Sequence, residues 1–148
     1  MKKECMECST SLEPDVYYHS LEKFGAPLCR CHQDWVRRMG SASYTVNLYF
    51  GLRKNGVPAK LEKPVGYQQS IDIAIPECKV NIEVDRAQQT SNPQQALADL
   101  QRTYFSFLNG YITLRIPNSL MECNIDETIN YIIRFLNVNG EREWVRSW

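Results

Sequence analysis

The sequence lacks both an excess of charge and a long apolar run, and these absences restrict what the protein can bind. Its 148 residues carry 17 basic and 17 acidic side chains, so the formal net charge is zero. Without an overall positive field, binding to nucleic acid or to an anionic membrane would depend on local patches. No stretch approaches the roughly 18 consecutive apolar residues of a membrane span, and the polar start does not read as a signal peptide. We therefore expect a cytoplasmic protein that does not bind membranes.

Several catalytic signatures are also missing. The chain contains no glycine-rich phosphate loop, no Gly-x-Ser-x-Gly turn and no His-Glu-x-x-His pair. These motifs are the usual sequence signals of P-loop enzymes, serine hydrolases and zinc proteases. Any catalytic activity is therefore expected to come from a different set of residues.

Cysteine is present in a pattern typical of a metal site. Cys5 and Cys8 form a Cys-x-x-Cys pair, and Cys29 and His32 form a Cys-x-x-His pair further along the chain. Side chains three residues apart on a tight turn can reach the same metal ion, and two such pairs supply the four ligands of tetrahedral zinc. The spacing therefore predicts a structural zinc site.

Other interpretations of the cysteines remain open. Cys31 competes with His32 for the fourth ligand position, although a Cys-x-Cys pair fits this geometry less well. A redox role for the first pair would require a preceding strand, and only four residues precede Cys5. Cys78 and Cys123 stand apart from the others and are interpreted as structural thiols.

We expect the zinc ligands to belong to a small ribbon or knuckle module formed by residues 1–39. Residues 16–28 alternate aromatic and polar side chains, which predicts a short hairpin between the two ligand pairs. So small a module cannot bury enough apolar surface alone, so bound zinc would supply its folding energy. A second domain, residues 40–148, is expected to follow.

The second domain has the hydrophobic periodicity of a layered α/β fold. Alternating segments predict strands, and apolar residues at helical spacing predict helices. Asn92 and Pro93 predict the start of a helix of about 16 residues ending before Gly110, and Gly140 is expected to end the last helix. The predicted order is α-β-β-β-α-β-α, with helices at 44–54, 93–109 and 126–137 and strands at 57–63, 71–75, 80–85 and 111–116.

The register of the central hairpin follows from its apolar residues. A slip of one residue would turn an apolar face into water, so the apolar faces are expected to match. Asp72 then lies opposite Glu83, and Asp85 lies opposite Ser70 on the same face. The apolar pairs that fix this register are Ile75 with Val80, Ile73 with Ile82, and Ile71 with Val84.

Three carboxylates on one face of a hairpin need compensation. Opposed like charges destabilise a strand pair, and a divalent cation such as Mg²⁺, which prefers carboxylate and phosphate oxygens, would offset their repulsion. The alternative is a solvated acidic face paired with Lys60, Arg86 or Arg115.

The order of these elements and acids resembles that of the PD-(D/E)XK restriction-endonuclease-like nucleases. The branch most similar is related to very-short-patch repair endonucleases, in which an Asp precedes a Glu-x-Asp-Gly motif and a later Gly-Tyr-x-x-x-Arg strand. Here Asp72 precedes Glu83-Val84-Asp85, and residues 110–115 read Gly-Tyr-Ile-Thr-Leu-Arg. The resemblance covers residues 44–137 and implies a core with a mixed sheet.

The resemblance implies a nuclease that hydrolyses phosphodiester bonds. Asp72 and Glu83 would hold a catalytic Mg²⁺ or Mn²⁺, and Asp85, which stands where most relatives have Lys, would hold metal or orient water. We expect DNA rather than RNA as the substrate, and the zinc module would help to bind it. The cations expected to contact nucleic acid are Arg86, Arg102 and Arg115, with Lys79 near the same site.

The chain also departs from this family pattern. Arg86 and Gln89 replace the usual Gly and His, and the first helix of the core has no acid, although Glu62 could substitute. These departures favour an alternative function, a nuclease-like nucleic-acid-binding or adaptor protein without turnover. A zinc-dependent protein-interaction module is a third possibility, and pairing of two copies of the chain is left open.

Overall fold

The computed structural model describes residues 2–62, 72–85 and 92–146, without the side chains of residues 139–146. It is a mixed α/β structure with one four-stranded sheet in this part of the chain. No helix in these ranges has the length and apolar character needed to cross a membrane. In chain order the elements are α1 (Pro14–Phe24), α2 (Arg30–Met39), α3 (Ser43–Lys54), β1 (Lys60–Leu61), β2 (Ile73–Ile75), a 3₁₀ helix (Pro76–Cys78), β3 (Val80–Asp85), α4 (Pro93–Leu108), β4 (Ile112–Pro117), α5 (Ser119–Cys123) and α6 (Ile125–Arg146).

The region between the two ligand pairs is helical, so the predicted hairpin, and with it the ribbon, is wrong. Pro14 occupies the start of α1, Asp15 lies in its first turn, and Gly25 ends it with a φ of 70°. All three positions favour a helix. The strand-like pairing described in this region is an isolated bridge between Glu4 and Ser11.

The sheet has the order β1-β2-β3-β4. Its first three strands are antiparallel, and β4 runs parallel to β3. The predicted hairpin register is confirmed for the described pairs, Ile73 with Ile82 and Ile75 with Val80. Ile71 and Ser70 lie outside the described residues, so their predicted pairs are not tested.

One predicted helix end is wrong and one helix was not predicted in the C-terminal half. Gly140 lies inside α6 rather than at its end. A glycine costs a helix only about 1 kcal/mol relative to alanine, and the residues that follow it can continue the helix. α5, a short helix between β4 and α6, had no clear signal in the sequence.

One hydrophobic core joins the N-terminal helices to the sheet. Cys5 and Leu28 belong to the same buried cluster as Leu48 and Phe50 of α3 and Ile82 of β3. The predicted domain boundary coincides with the end of α2, but the core continues across it. The division of the chain into residues 1–39 and 40–148 stays a prediction.

α4 packs against the side of the sheet that carries Glu83, because its Arg102 pairs with Glu83. It spans 16 residues, with the predicted cap at Asn92. Asp99 on this helix is buried, and its backbone oxygen accepts a hydrogen bond from Arg115 of β4. The apolar side chains predicted to share one face are all exposed, namely Leu97, Leu100, Tyr104, Phe107 and Leu108.

Candidate metal centre and acidic site

The predicted zinc ligands lie together. Cys5, Cys8, Cys29 and His32 each offer one ligand atom, and these atoms all lie within 4.8 Å of one another. The distances are 3.2 Å from Cys29 Sγ to His32 Nδ1, 3.5 Å from Cys5 Sγ to the same nitrogen and 3.9 Å between Cys8 Sγ and Cys29 Sγ. Ligands of a tetrahedral zinc ion stand about 3.6–3.8 Å apart, given its bond lengths. The cluster could therefore bind a metal such as zinc.

Local backbone structure explains this convergence. The N–H of Cys5 donates to Thr10 O (2.8 Å), and the N–H of Ser9 donates to Cys5 O (2.8 Å), which closes the first turn. The N–H of Met6 donates to Pro27 O (2.8 Å) and ties this turn to the segment that leads into the second ligand pair. The two ligand pairs are thus joined by backbone hydrogen bonds.

The start of α2 decides between Cys31 and His32. Cys29 is the residue that caps α2, so His32 lies in the first turn, three residues on. Side chains three positions apart share a helix face, whereas those two apart do not. His32 therefore meets Cys29, and Cys31 is exposed and does not belong to the cluster.

The thiols of the cluster differ in acidity. The Thr10 side chain, whose Oγ1 lies 3.1 Å from Cys8 Sγ, is the main cause that lowers the pKa of Cys8 to about 6. Burial raises the pKa of Cys29 above its usual value. Thiolates are the metal-binding form of cysteine, so Cys8 is already a competent ligand at neutral pH.

The metal cluster is also connected to α3. The His32 ring packs edge-on against Trp35 with 6.1 Å between the ring centroids, and Trp35 packs against Tyr49 at 6.2 Å. The Tyr49 hydroxyl donates to Glu7 Oε1 (3.0 Å). Glu7 lies between Cys5 and Cys8, in the turn that holds the first ligand pair. Arg53 of α3 forms an ion pair with the same carboxylate at 3.6 Å.

The predicted acidic residues lie around the end of the β2–β3 hairpin. Asp72 immediately precedes β2, and its Oδ2 accepts a hydrogen bond from the N–H of Val84 (2.8 Å). Glu83 on β3 is only 8% exposed, and it pairs in register with Arg115 of β4. Asp85, two residues after Glu83, is half-buried.

Arginines balance these acids. Arg115 Nη2 lies 3.1 Å from Glu83 Oε2, and its Nη1 lies 3.0 Å from Asp85 Oδ1. Arg102 of α4 lies 4.0 Å from Glu83. Arg102 and Arg115 thus face the carboxylates rather than open solvent. Arg86, the third predicted nucleic-acid contact, lies outside the described residues, and Lys79 is exposed in the turn before β3.

Asp99 of α4 completes this network, although no sequence motif indicates its role. It forms an ion pair with Arg102 of the same helix and accepts a hydrogen bond from Gln95 Nε2 (3.2 Å). Arg115 Nη2 also donates to Asp99 O and to Thr103 Oγ1, both at 3.2 Å. The one available signal was that Asp99 and Arg102 are the charged residues of α4 and lie opposite its apolar side chains.

The electrostatics of Glu83 reflect both its burial and these partners. Burial raises the pKa of Glu83, Arg115 and Arg102 lower it, and Asp72 and Asp99 raise it. In the described part of the chain, the group of His, Cys, Asp and Glu side chains close enough to share a metal is the cysteine and histidine cluster. A metal ion held by Asp72, Glu83 and Asp85 stays a prediction.

Comparison with known proteins adds no relative. No family model, no curated protein and no solved structure matches this chain.

Proposed function

We propose that the protein is a metal-dependent nuclease that hydrolyses phosphodiester bonds in DNA, with an N-terminal zinc site that supports nucleic-acid binding. The observation that carries this proposal is the hairpin register, in which Ile73 pairs with Ile82. Continued by one residue, this register makes Asp72 the neighbour of Glu83. Two neighbouring carboxylates, one just before β2 and one within β3, form a donor set suited to a divalent cation.

The residues have separate roles in this proposal. Asp72 and Glu83 would hold Mg²⁺ or Mn²⁺, and the donor chemistry fits because these ions prefer carboxylate oxygens. The bound ion would supply an activated water and would offset charge on the scissile phosphate. Asp85 would orient water, and Arg115 and Arg102 would bind phosphate oxygens.

The topology supports the same proposal. The order α3-β1-β2-β3-α4-β4-α5-α6, with β4 parallel to β3 in a mixed sheet, agrees, apart from the short α5, with the order that the resemblance to PD-(D/E)XK nucleases implies. Fold alone does not establish chemistry, so this agreement is secondary to the positions of the acids.

A second candidate is a nuclease-like protein that binds nucleic acid without cutting it. The ion pairs of Arg115 with Glu83 and Asp85 favour this candidate. A guanidinium group in this position already supplies the positive charge that a metal ion would bring. Glu83 would have to exchange this partner before it could bind metal.

Metal titration separates the two candidates. Zinc-loaded wild type, Asp72→Ala and Glu83→Ala are titrated with Mg²⁺ and Mn²⁺ in a calorimeter and then incubated with plasmid and single-stranded DNA. Glu77→Ala is the matched control, because Glu77 is an exposed acid in the turn of the same hairpin. Comparing variants avoids chelators, which would also remove the zinc.

The nuclease proposal expects metal binding and metal-dependent cleavage that both site variants abolish and the control keeps. Nucleic-acid binding without metal binding or cleavage would favour the second candidate. Metal binding that survives both site substitutions would contradict the assigned ligands.

A further inference from the structure

α4 concentrates the exposed apolar surface of the described structure. Of the nine large hydrophobic side chains exposed there, six lie on this helix. Five of them, at spacings of three and four residues, form a continuous stripe that we call the α4 apolar face. Its members and their exposed fractions are Leu97 56%, Leu100 65%, Tyr104 57%, Phe107 62% and Leu108 60%, with Phe105 at 59% beside them.

The orientation of α4 is fixed by its polar side. Asp99 and Arg102 form an ion pair, and Arg102 and Arg115 both contact Glu83. Turning the apolar face towards the sheet would break this network and leave buried charges unpaired, which is strongly unfavourable. The apolar face is therefore held outwards by the same contacts that neutralise the acidic site.

The area of this face is sufficient for a stable interface. A large aromatic side chain buries roughly 150–250 Å² when fully covered, so six apolar side chains that are a little over half exposed present about 600 Å². This lies at the upper end of the range for the largest apolar patch of a typical monomer, about 300–600 Å². Two such faces together would bury about 1,200 Å², the lower limit of specific interfaces.

The charge on this face identifies the kind of partner. The charged residues of α4 are Asp99 and Arg102, and both lie on the side facing the sheet, while the exposed Gln94 and Gln101 beside the stripe are neutral. Nucleic acid requires basic side chains, and helices that lie on membranes usually carry lysine or arginine on their polar side. A surface that meets its own copy must instead avoid like charges at its centre, as this one does.

We propose that the α4 apolar face is the interface of a homodimer with two-fold symmetry. The spacing of Leu97, Leu100, Tyr104 and Phe107 is that of the a and d positions of helices that pack against each other. In such a symmetric interface the same patch on each copy covers the other. This interface does not depend on the proposed nuclease activity.

Sedimentation velocity of the full zinc-loaded chain over a wide concentration range tests the interface. The variants are Leu100→Glu and Tyr104→Glu, and the matched control is Tyr18→Glu, because Tyr18 is 60% exposed on α1. Each interface substitution acts twice per dimer and removes an apolar contact, so the dissociation constant should rise at least about a hundredfold. The control should dimerise like wild type.

Circular dichroism checks that the variants are folded, which we expect because the substituted side chains do not belong to the core. A second measurement needs no variant: amide hydrogen exchange in α4 of the wild type should slow as concentration rises. A wild-type protein that stays monomeric would overturn the proposal. This holds even if that monomer sediments with phosphatidylcholine vesicles, which would point to a membrane as the partner. A dimer that both α4 variants leave intact would overturn it equally.

Discussion

Arg115 is the side chain that connects the members of the acidic site. Its guanidinium group reaches Glu83 and Asp85 and also donates to the backbone of Asp99 and the hydroxyl of Thr103. The planar fork of an arginine suits several acceptors at once, whereas a lysine ammonium group is a single point of charge. Replacing Arg115 with lysine would therefore not be conservative.

The raised pKa of Glu83 leads to a pH-dependent prediction. A buried carboxyl keeps its proton to a higher pH in the folded than in the unfolded protein, so the free energy of unfolding falls as pH rises through this window. The window begins at the usual value of 4.5 and ends at the raised pKa of Glu83. Glu83→Gln removes the titrating carboxyl group. The free energy of unfolding of the wild type should therefore fall relative to that of the variant as pH rises through this window.

Urea unfolding at a series of pH values measures this difference. Glu77→Gln makes the same chemical change at an exposed position of the hairpin and serves as the control. Parallel pH curves for wild type and Glu83→Gln would contradict the assigned effect of burial.

The first turn of α4 gives a prediction at the level of one element. Asn92 Oδ1 accepts hydrogen bonds from the N–H groups of Gln94 (3.0 Å) and Gln95 (3.3 Å). Asn92→Ala should lower the free energy of unfolding by about 1 kcal/mol, the usual cost of losing an N-cap. Asn118, at the start of α5, makes no side-chain cap bond, so Asn118→Ala should change stability less. Equal losses in chemical denaturation would argue against the cap.

Elements whose signals are local could be predicted from the sequence. The start of α4 was correct because an Asn cap and a following Pro act within one turn. The β2–β3 register was correct because alternating apolar residues have only one buried arrangement. The hairpin predicted at 16–28 was wrong because the brief alternation there competes with Pro14 and Gly25, which favour a helix.

Features that depend on distant partners could not be predicted in the same way. The metal cluster is different, because local spacing predicted its four residues, including His32 rather than Cys31, and the structure brings them together. The outward orientation of the α4 apolar face depends on Arg115, which comes from a later strand. Asp99 was missed for the same reason, since only its contact with that strand gives it a role.

At the scale of the whole molecule, the metal cluster and the sheet share their stability. Cys5 is 2% exposed and Leu28 is fully buried, and both belong to the cluster that contains Phe50 and Ile82. Since the core is continuous, loss of the metal site should destabilise the sheet as well as the N-terminal helices.

Zinc removal tests this coupling. Cys29→Ser, or chelation of wild type, should lower the melting temperature by at least about 10 °C, because 1 kcal/mol shifts it by about 2–4 °C at this size and structural zinc contributes several times that amount. Cys31→Ser is the control and should melt like wild type. The unfolding curves from far-ultraviolet circular dichroism and tryptophan fluorescence should coincide, whereas two separate transitions would indicate independent domains.

The position of Arg115 in the chain also has a consequence for the order of folding. Asp85 precedes its arginine partner by 30 residues, and β4 joins β3 only through the crossover that contains α4. The β2–β3 hairpin can form early from nearby residues, but its carboxylates repel one another until β4 arrives. Loop closure over this distance must therefore be completed before the acidic face is neutral. Long-range pairing of this kind slows folding, so we expect docking of the parallel strand to be late and to limit the folding rate.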